Sequence, residues 1–531
     1  METMENSGAS YLPATADGPF EPNWESLQQY KCPDWFRDAK FGIWAHWGPQ
    51  AVGEAGDWYA KFLYCPTGDW YGHNAYHRHI EMYGHPTTHG YKDILPLWKA
   101  SKWNPERLMS LYKKAGAKYF MAMGCHHDNF DCWDSKFQPW NSKRIGPEKD
   151  IVGIWKQAAD KEGLPLGVSF HPDYSWWWWQ PCFWSDIEGS YAGIPYDGAQ
   201  HLDGKGTWWD GLDLKDLYGI DLSDEYVEGL DPRKDFFHAV PETLKNTEYA
   251  EWYCAKWYNR VKDLIDNYAP ELIYFDGGGN DWIPFSGKGT GRGIISDALP
   301  RITAHHYNTS IANNNGKLEA VMNIKTMKGN AIILDCESHF NDEILPEPWQ
   351  NDCSFGEWFY EAGFYYSTDL VIHQLLEVVS RNGNLMLNMP LNADGELDLG
   401  GEMVLEELAK WFAVNGQGIY STRPWKIYGE GTTRMPNGNL GKNNDIPFTG
   451  EDFRFMQKDG LLYAFCMTVP QEPVLIKSLG YEASLCDKPI SAVKVLGSTA
   501  NVKWTQIQQG LSIMPLENWP CRHSVAFEIM F

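Results

Sequence analysis

Short apolar runs that end in a histidine or an aspartate recur along this chain, each followed by a loop and then a helical pattern. Lys40-Phe-Gly-Ile-Trp-Ala runs into His46, and Lys118-Tyr-Phe-Met-Ala-Met-Gly124 into Cys125-His126-His127-Asp128-Asn129. Leu164–Phe170 stops at His171-Pro172-Asp173, and Glu271-Leu-Ile-Tyr-Phe stops at Asp276, with Gly277-Gly278-Gly279 beyond. Runs this short and unbroken read as strands buried on both faces rather than as helices. Between them, Pro105–Ala115 has helical spacing, with Asn104 as its cap and Gly116 as its stop. Asp150–Glu162, closed by Gly163, and Tyr249–Tyr268 repeat the pattern. Strands alternating with helices specify a parallel sheet. Polar residues gathered at the C-terminal tips of its strands specify a (β/α)8-like TIM barrel, whose chemistry sits on that rim.

Ala331–Glu337 offers a further strand end, Asn384–Met389 a late strand, and Asp369–Val379 and Gly401–Val414 late helices. From about Gly416 the texture changes to short alternating runs, such as Leu461–Cys466, Ser491–Leu496 and Ser524–Phe531, separated by turn residues. That pattern predicts a C-terminal β-sandwich domain. The expected division is a barrel with an N-terminal arm over residues 1–415 and a sandwich over 416–531; a chain of 531 residues exceeds what one core supports. Residues 1–30 read as a loosely packed arm. Trp58–Pro86 reads as a long ordered loop and Ser338–Gln350 as a loop beside the site.

The formal charge of −25 disfavours nucleic acid and anionic membrane surfaces as partners. No run is long and apolar enough for a membrane span. Met1–Pro22 lacks the basic start and apolar core of a secretory leader. A leader removed beforehand would make the chain periplasmic or secreted; otherwise it is cytoplasmic. Eleven cysteines carry no C-x-x-C or zinc-type spacing. There is no nucleophile elbow, P-loop or dinucleotide fingerprint, so no cofactor is expected.

Asp276 at a strand tip is either a cap for the next turn or a catalytic carboxylate. Retaining hydrolysis of a glycosidic bond needs a second carboxylate about 5–5.5 Å away. Glu337, just past the run Ala331–Leu334, is the candidate, weighed against an ordinary surface glutamate. Histidines at three strand ends (His46, the pair His126 and His127, and His171) suit a sugar, whose hydroxyls take neutral imidazoles while indoles stack on its apolar face. Trp176–Trp179 would shape the entrance or a subsite. A metal held by His46, His126, His127 and Asp128 is the competing arrangement. It is set aside because adjacent side chains on an extended strand point to opposite sides, and no H-E-x-x-H pattern occurs.

Four segments in order resemble glycoside hydrolase family 29, the retaining α-L-fucosidases. They are Trp35–Gly48, Gly116–Phe120 with Cys125–Ser135, Leu272–Gly277, and Arg381–Pro390. The resemblance implies a barrel followed by a sandwich, an exo-acting hydrolase of terminal α-L-fucosyl residues, and a glycan or oligosaccharide as substrate. It assigns the nucleophile to Asp276 and the acid/base to Glu337. It places His46, His126, His127 and Tyr274 at the sugar; Trp47, Trp58 and His171 join them as candidate sugar contacts. Lys325, in Asn323-Ile324-Lys325, stands where the family carries an arginine, and so loses the planar two-pronged contact. Ser169-Phe170-His171 stands where the family commonly has Tyr-Tyr-Ser. L-Galactose is L-fucose with a hydroxyl on C6, so a polar residue there points to an exo-α-L-galactosidase acting on an algal or plant polysaccharide as the alternative. A catalytically inactive sugar-binding protein is a further one.

Overall fold

The structure is a computed structural model. It describes residues 12–68, 74–173, 175–200, 202–221, 248–276, 297–326, 329–363, 365–436, 446–486 and 488–531. The glycines 277–279 lie outside the described residues.

Eight parallel strands form the core, in the order β6-β5-β4-β3-β2-β1-β8-β7. They are β1 (Phe41–Ala45), β2 (Phe120–Cys125), β3 (Leu166–Phe170), β4 (Leu272–Phe275), β5 (Val321–Ile324), β6 (Ile333–Leu334), β7 (Trp349–Ser354) and β8 (Gly383–Asn388). β6 and β7 meet through a single parallel bridge between Asp335 and Gln350, so the barrel closes at a thin seam. The helices predicted at Pro105, Asp150 and Tyr249 form; Asn104 caps the first as expected, accepting from the Arg107 amide, and Asp150 caps the second rather than opening it, accepting from the Gly153 amide. Among the described residues no helix is long and apolar enough to cross a membrane.

Register sets the height of each strand tip. Ser169 pairs with Tyr274, and Tyr274 with Asn323, so these three share a level. Side chains two residues on keep the same face, which puts His171, Asp276 and Lys325 together one level higher. Trp44 and His46 repeat the relation on β1.

Beyond the helix Leu399–Asn415 come two antiparallel sheets. The larger, β13-β16-β11-β10-β9, comprises β9 (Arg423–Glu430), β10 (Phe453–Lys458), β11 (Leu461–Cys466), β13 (Ala492–Val495) and β16 (Val525–Met530). The smaller, β12-β15-β14, comprises β12 (Val474–Ile476), β14 (Trp504–Ile507) and β15 (Gly510–Ile513). Phe453, Phe455, Leu462 and Phe527 point between the sheets, whereas Met456, Tyr463 and Phe465 pack into the barrel's cluster. The larger sheet is therefore buried on both faces. On its barrel side Arg454 meets Glu377 of the helix Thr368–Ser380, donating from Nε at 2.8 Å and again from Nη2.

Two expectations fail. The arm is not loosely packed over the described residues 12–30. Tyr30 stacks on Tyr307 at 4.5 Å, and Phe20 meets the same ring edge-on at 5.3 Å. Asn308 donates to the Ala16 and Phe20 carbonyls, and Gly18 lies so close that a Cβ there would strike Asn308. Nor is Trp58–Pro86 a loop throughout, since helices form at Tyr59–Phe62 and Ala75–Tyr83. Tyr59 anchors them by its hydroxyl, 2.6 Å from His79 Nδ1.

Candidate active site

Asp276 follows β4, its side chain 19% exposed. His127 Nε2 lies 3.0 Å from its Oδ2, and His171 Nδ1 lies 3.2 Å from the same oxygen. Oδ1 accepts from Tyr274 at 3.2 Å and from the ammonium of Lys325. Burial alone would raise this carboxyl. The Lys325 charge, then His171 and the hydrogen bond from His127, outweigh it and hold the group well below the usual carboxylate range. Asp276 is thus an anion, and His127 donates to it through Nε2.

Lys325 also donates to Glu337 Oε2. Lys325 thus makes two contacts, one to each carboxylate. Burial opposes its charge, but Asp276 and Glu337 raise the ammonium well above its ordinary value. Glu337 lies past the two-residue β6, on a turn where Ser338 takes φ 52°. At 35% its side chain is more exposed than Asp276.

The histidines converge. His46 and His126 rings lie 5.0 Å apart, His126 and His171 4.9 Å, and His126 and His127 4.6 Å. Adjacent residues share one site because the chain has left the strand. The β2–β3 register slips between Met123 and Cys125, and the turn that follows re-aims both rings. Arg260, from the helix Glu248–Tyr268, fixes that turn by donating to Asn129 Oδ1 at 2.7 Å and to Asp131 Oδ2 at 3.1 Å.

Gln50 sets one tautomer. Its amide oxygen accepts from the Ala60 amide at 3.1 Å, so its nitrogen faces His126 Nδ1 at 2.7 Å and donates. His126 then carries its proton on Nε2. Burial lowers His46 and His126 well below the ordinary imidazole value and His171 to about 4. These three are neutral rings, each with one donor and one acceptor. Both nitrogens of His46 and Nε2 of His171 are buried with no hydrogen-bond partner among the described residues. Ligand atoms of His126, His127 and His171 lie within 4.8 Å of one another, as do those of His46, Asp57 and His126. His126 Nδ1 and His127 Nε2 are already committed to Gln50 and Asp276, an arrangement suited to sugar hydroxyls.

Trp58, at φ 59°, meets His127 edge-on at 5.4 Å and Trp178 at 5.5 Å. Trp47 is elsewhere: its ring packs on Trp98 and Trp103, and its N–H donates to the Asn392 carbonyl at 2.8 Å. The strand period explains this, because Trp44 shares the face of His46 and Trp47 does not. Trp44 accordingly lies 4.9 Å from His46 and 5.2 Å from Tyr274. Trp358, 5.3 Å from His46, is a second aromatic that sequence reasoning missed. Of the tryptophan run, Trp178 reaches His127, whereas Trp179 is a core residue against Tyr91 and Tyr218. Asp352 on β7 was also missed; Tyr274 donates to its Oδ2 at 3.0 Å.

Residues 9–417 match the family model described as Alpha-L-fucosidase. Plasma alpha-L-fucosidase of Homo sapiens is 24% identical over 543 residues, covering 96% of this chain and 92% of that protein. Tissue alpha-L-fucosidase of Bos taurus is 26% identical over 423 residues, covering 77% and 74%. Among solved structures, Thermotoga maritima alpha-fucosidase in complex with a mechanism-based inhibitor superposes with a TM-score of 0.68 at 21% identity, covering 96% of this chain and 100% of that one. Its fold is the barrel with sandwich seen here. With the family model spanning most of its length, the chain belongs to the alpha-L-fucosidase family, glycoside hydrolase family 29, and is a glycoside hydrolase.

Proposed function

We propose that this enzyme is an exo-acting, retaining α-L-fucosidase that removes terminal α-L-fucosyl residues from glycans. One observation carries the reading: a single ammonium, Lys325, is hydrogen-bonded to both Asp276 and Glu337. Two oxygens bonded to one nitrogen lie at most about 6 Å apart. That spacing fits the ~5–5.5 Å of retaining carboxyl pairs better than the ~6.5–9.5 Å that inversion requires to seat a water.

Asp276 attacks the anomeric carbon as Glu337 gives its proton to the departing glycosidic oxygen, leaving a glycosyl ester on Asp276. Glu337, now a carboxylate, takes a proton from water, whose oxygen attacks the anomeric carbon and frees Asp276. In the free enzyme Lys325 lies between the two carboxyl groups and offsets part of their charge. Glu337 is the more exposed of the two and so the one open to the departing oxygen and to water. His46, His126, His127 and His171 orient ring hydroxyls, and Trp44 and Trp58 present apolar faces.

A second reading, exo-α-L-galactosidase, is favoured by His171. Its buried Nε2 could serve a C6 hydroxyl that L-fucose lacks. An assay of aryl α-L-fucoside against aryl α-L-galactoside, read as kcat/KM, decides between them. Fucoside preference supports the first and galactoside preference the second. Turnover of neither, with both sugars binding, would indicate the inactive sugar-binding protein.

A further inference from the structure

Beneath the reacting carboxylates lies a second acidic pair with no part in the scheme above. Asp335 follows β6 and Asp352 sits on β7, on the two sides of the barrel's seam; both are buried. Asp335 Oδ1 accepts from Gln350 at 3.1 Å, and Asp352 Oδ2 accepts from Tyr274 at 3.0 Å. The remaining oxygens, Asp335 Oδ2 and Asp352 Oδ1, are buried with no hydrogen-bond partner among the described residues. Asp335 is bridged to Gln350, and Asp352 stands two residues further along β7 on the same face, so the two buried carboxyls are neighbours that cannot both ionise without great cost; such a pair retains a proton.

Tyr274 connects this pair to the nucleophile. Its hydroxyl has one hydrogen and two carboxyl acceptors, Asp352 at 3.0 Å and Asp276 at 3.2 Å. It can donate to one of them at a time. We infer that Asp335 and Asp352 form a proton-holding pair whose state decides whether Tyr274 donates to Asp352 or to the nucleophile Asp276. With one proton on the pair, Asp352 keeps a charged oxygen and draws the Tyr274 hydrogen, leaving Asp276 less encumbered for attack. With two protons, Asp352 is neutral and Tyr274 donates to Asp276, which becomes a weaker nucleophile. Asp352 is a positioning residue acting through Tyr274.

The charged groups acting on the pair stand just past neighbouring strands: Lys325 past β5, Asp276 past β4, and Glu337 past β6. Burial raises Asp352 to about 6, Lys325 pulling it down and Glu337 pushing it up. Burial, then the charge of Asp352, raises Asp335 well above the carboxylate range. The second proton therefore leaves near pH 6, whereas Asp276 itself ionises well below 3.8. The acid limb of the rate profile belongs to Asp352, not to the nucleophile.

The inference rests on the glycosidase reading, so its test has two readouts. The first is the pH profile of kcat/KM on whichever aryl glycoside the wild type turns over. Wild type should gain roughly tenfold from pH 5 to pH 7. Asp352→Asn and Tyr274→Phe should each flatten that limb, and the double variant should add nothing further. A limb that keeps its shape in both variants while the rate falls uniformly would make these residues merely structural and overturn the inference. The second is an infrared titration of protonated carboxyl bands, which needs no turnover. A band lost near pH 6 in wild type and missing in Asp352→Asn supports the pair; a band unchanged by the substitution refutes it. An inactive wild type with the expected band would overturn the glycosidase reading and leave the proton-holding pair standing.

Discussion

Lys325 bridges Asp276 and Glu337, so the two carboxyl groups proposed to react share one counter-ion. Removing it should act on both. In Lys325→Met the charge that depresses Asp276 is gone, so its folded pKa rises. The same charge pulls Asp352 down, so the acid limb of kcat/KM should move to higher pH, and kcat at neutral pH should fall by about a hundredfold or more. Lys325→Arg should retain more activity, since a guanidinium can serve both oxygens. A pH–rate profile of each variant checks this; an unmoved limb in Lys325→Met would remove the lysine from the electrostatics of the site.

Glu337 should behave as a general acid and base. Glu337→Ala should lose roughly 10²–10⁴ in rate on alkyl glycosides, and much less in the first step on aryl glycosides whose phenols leave without help. Added azide should restore turnover and yield a glycosyl azide of retained configuration. Asp276→Ala should lose at least about a thousandfold on both substrates. Product analysis by NMR distinguishes the two roles.

His171 should set the response to C6. Replacing it with phenylalanine removes the buried donor and acceptor, and should lower the galactoside-to-fucoside ratio by about 10–100-fold. Equal ratios in wild type and variant would mean that His171 serves Asp276 and not the sugar.

Glu377 should matter for stability and not for chemistry. Burial would raise it, but Arg454 and Arg381 outweigh this and hold it below the ordinary glutamate value. A depressed acid contributes stability above its unfolded pKa of about 4.3 and loses it as pH falls through the lower folded value. Glu377→Gln leaves the fully buried Arg454 without its counter-charge, which should cost about 3–5 kcal/mol. Urea unfolding of the two proteins at neutral pH measures the difference, with KM expected to be unchanged.

The barrel's opening strands were legible because β1 to β4 are apolar runs cut off by one polar residue. β7 was not, because Trp349-Gln-Asn-Asp-Cys-Ser354 carries its polar side chains inward. Gln350 is satisfied by Tyr119 and Asp335, and Asn351 by the Cys336 carbonyl and Gln374. A pattern of apolar residues cannot register a strand whose interior is hydrogen-bonded. Asp276 was legible for the opposite reason, as a carboxylate at the end of an otherwise greasy strand. Trp47 was chosen over Trp44, where counting in twos from His46 would have selected Trp44. The arm's packing depends on Tyr307, hundreds of residues distant, and no local pattern announces it.

The seam has a consequence for how the enzyme fails. Asp276 stands on β4, laced on both sides by β3 and β5. Glu337 stands between a two-residue strand and β7, tied across by the Cys336 amide to the Gln350 carbonyl at 2.8 Å and the Ser338 amide to the Asp352 carbonyl at 2.9 Å. Heating should part those few ties well before the sheet melts. The loss of turnover would then precede the loss of ellipticity, and on brief exposure would reverse when the protein is cooled.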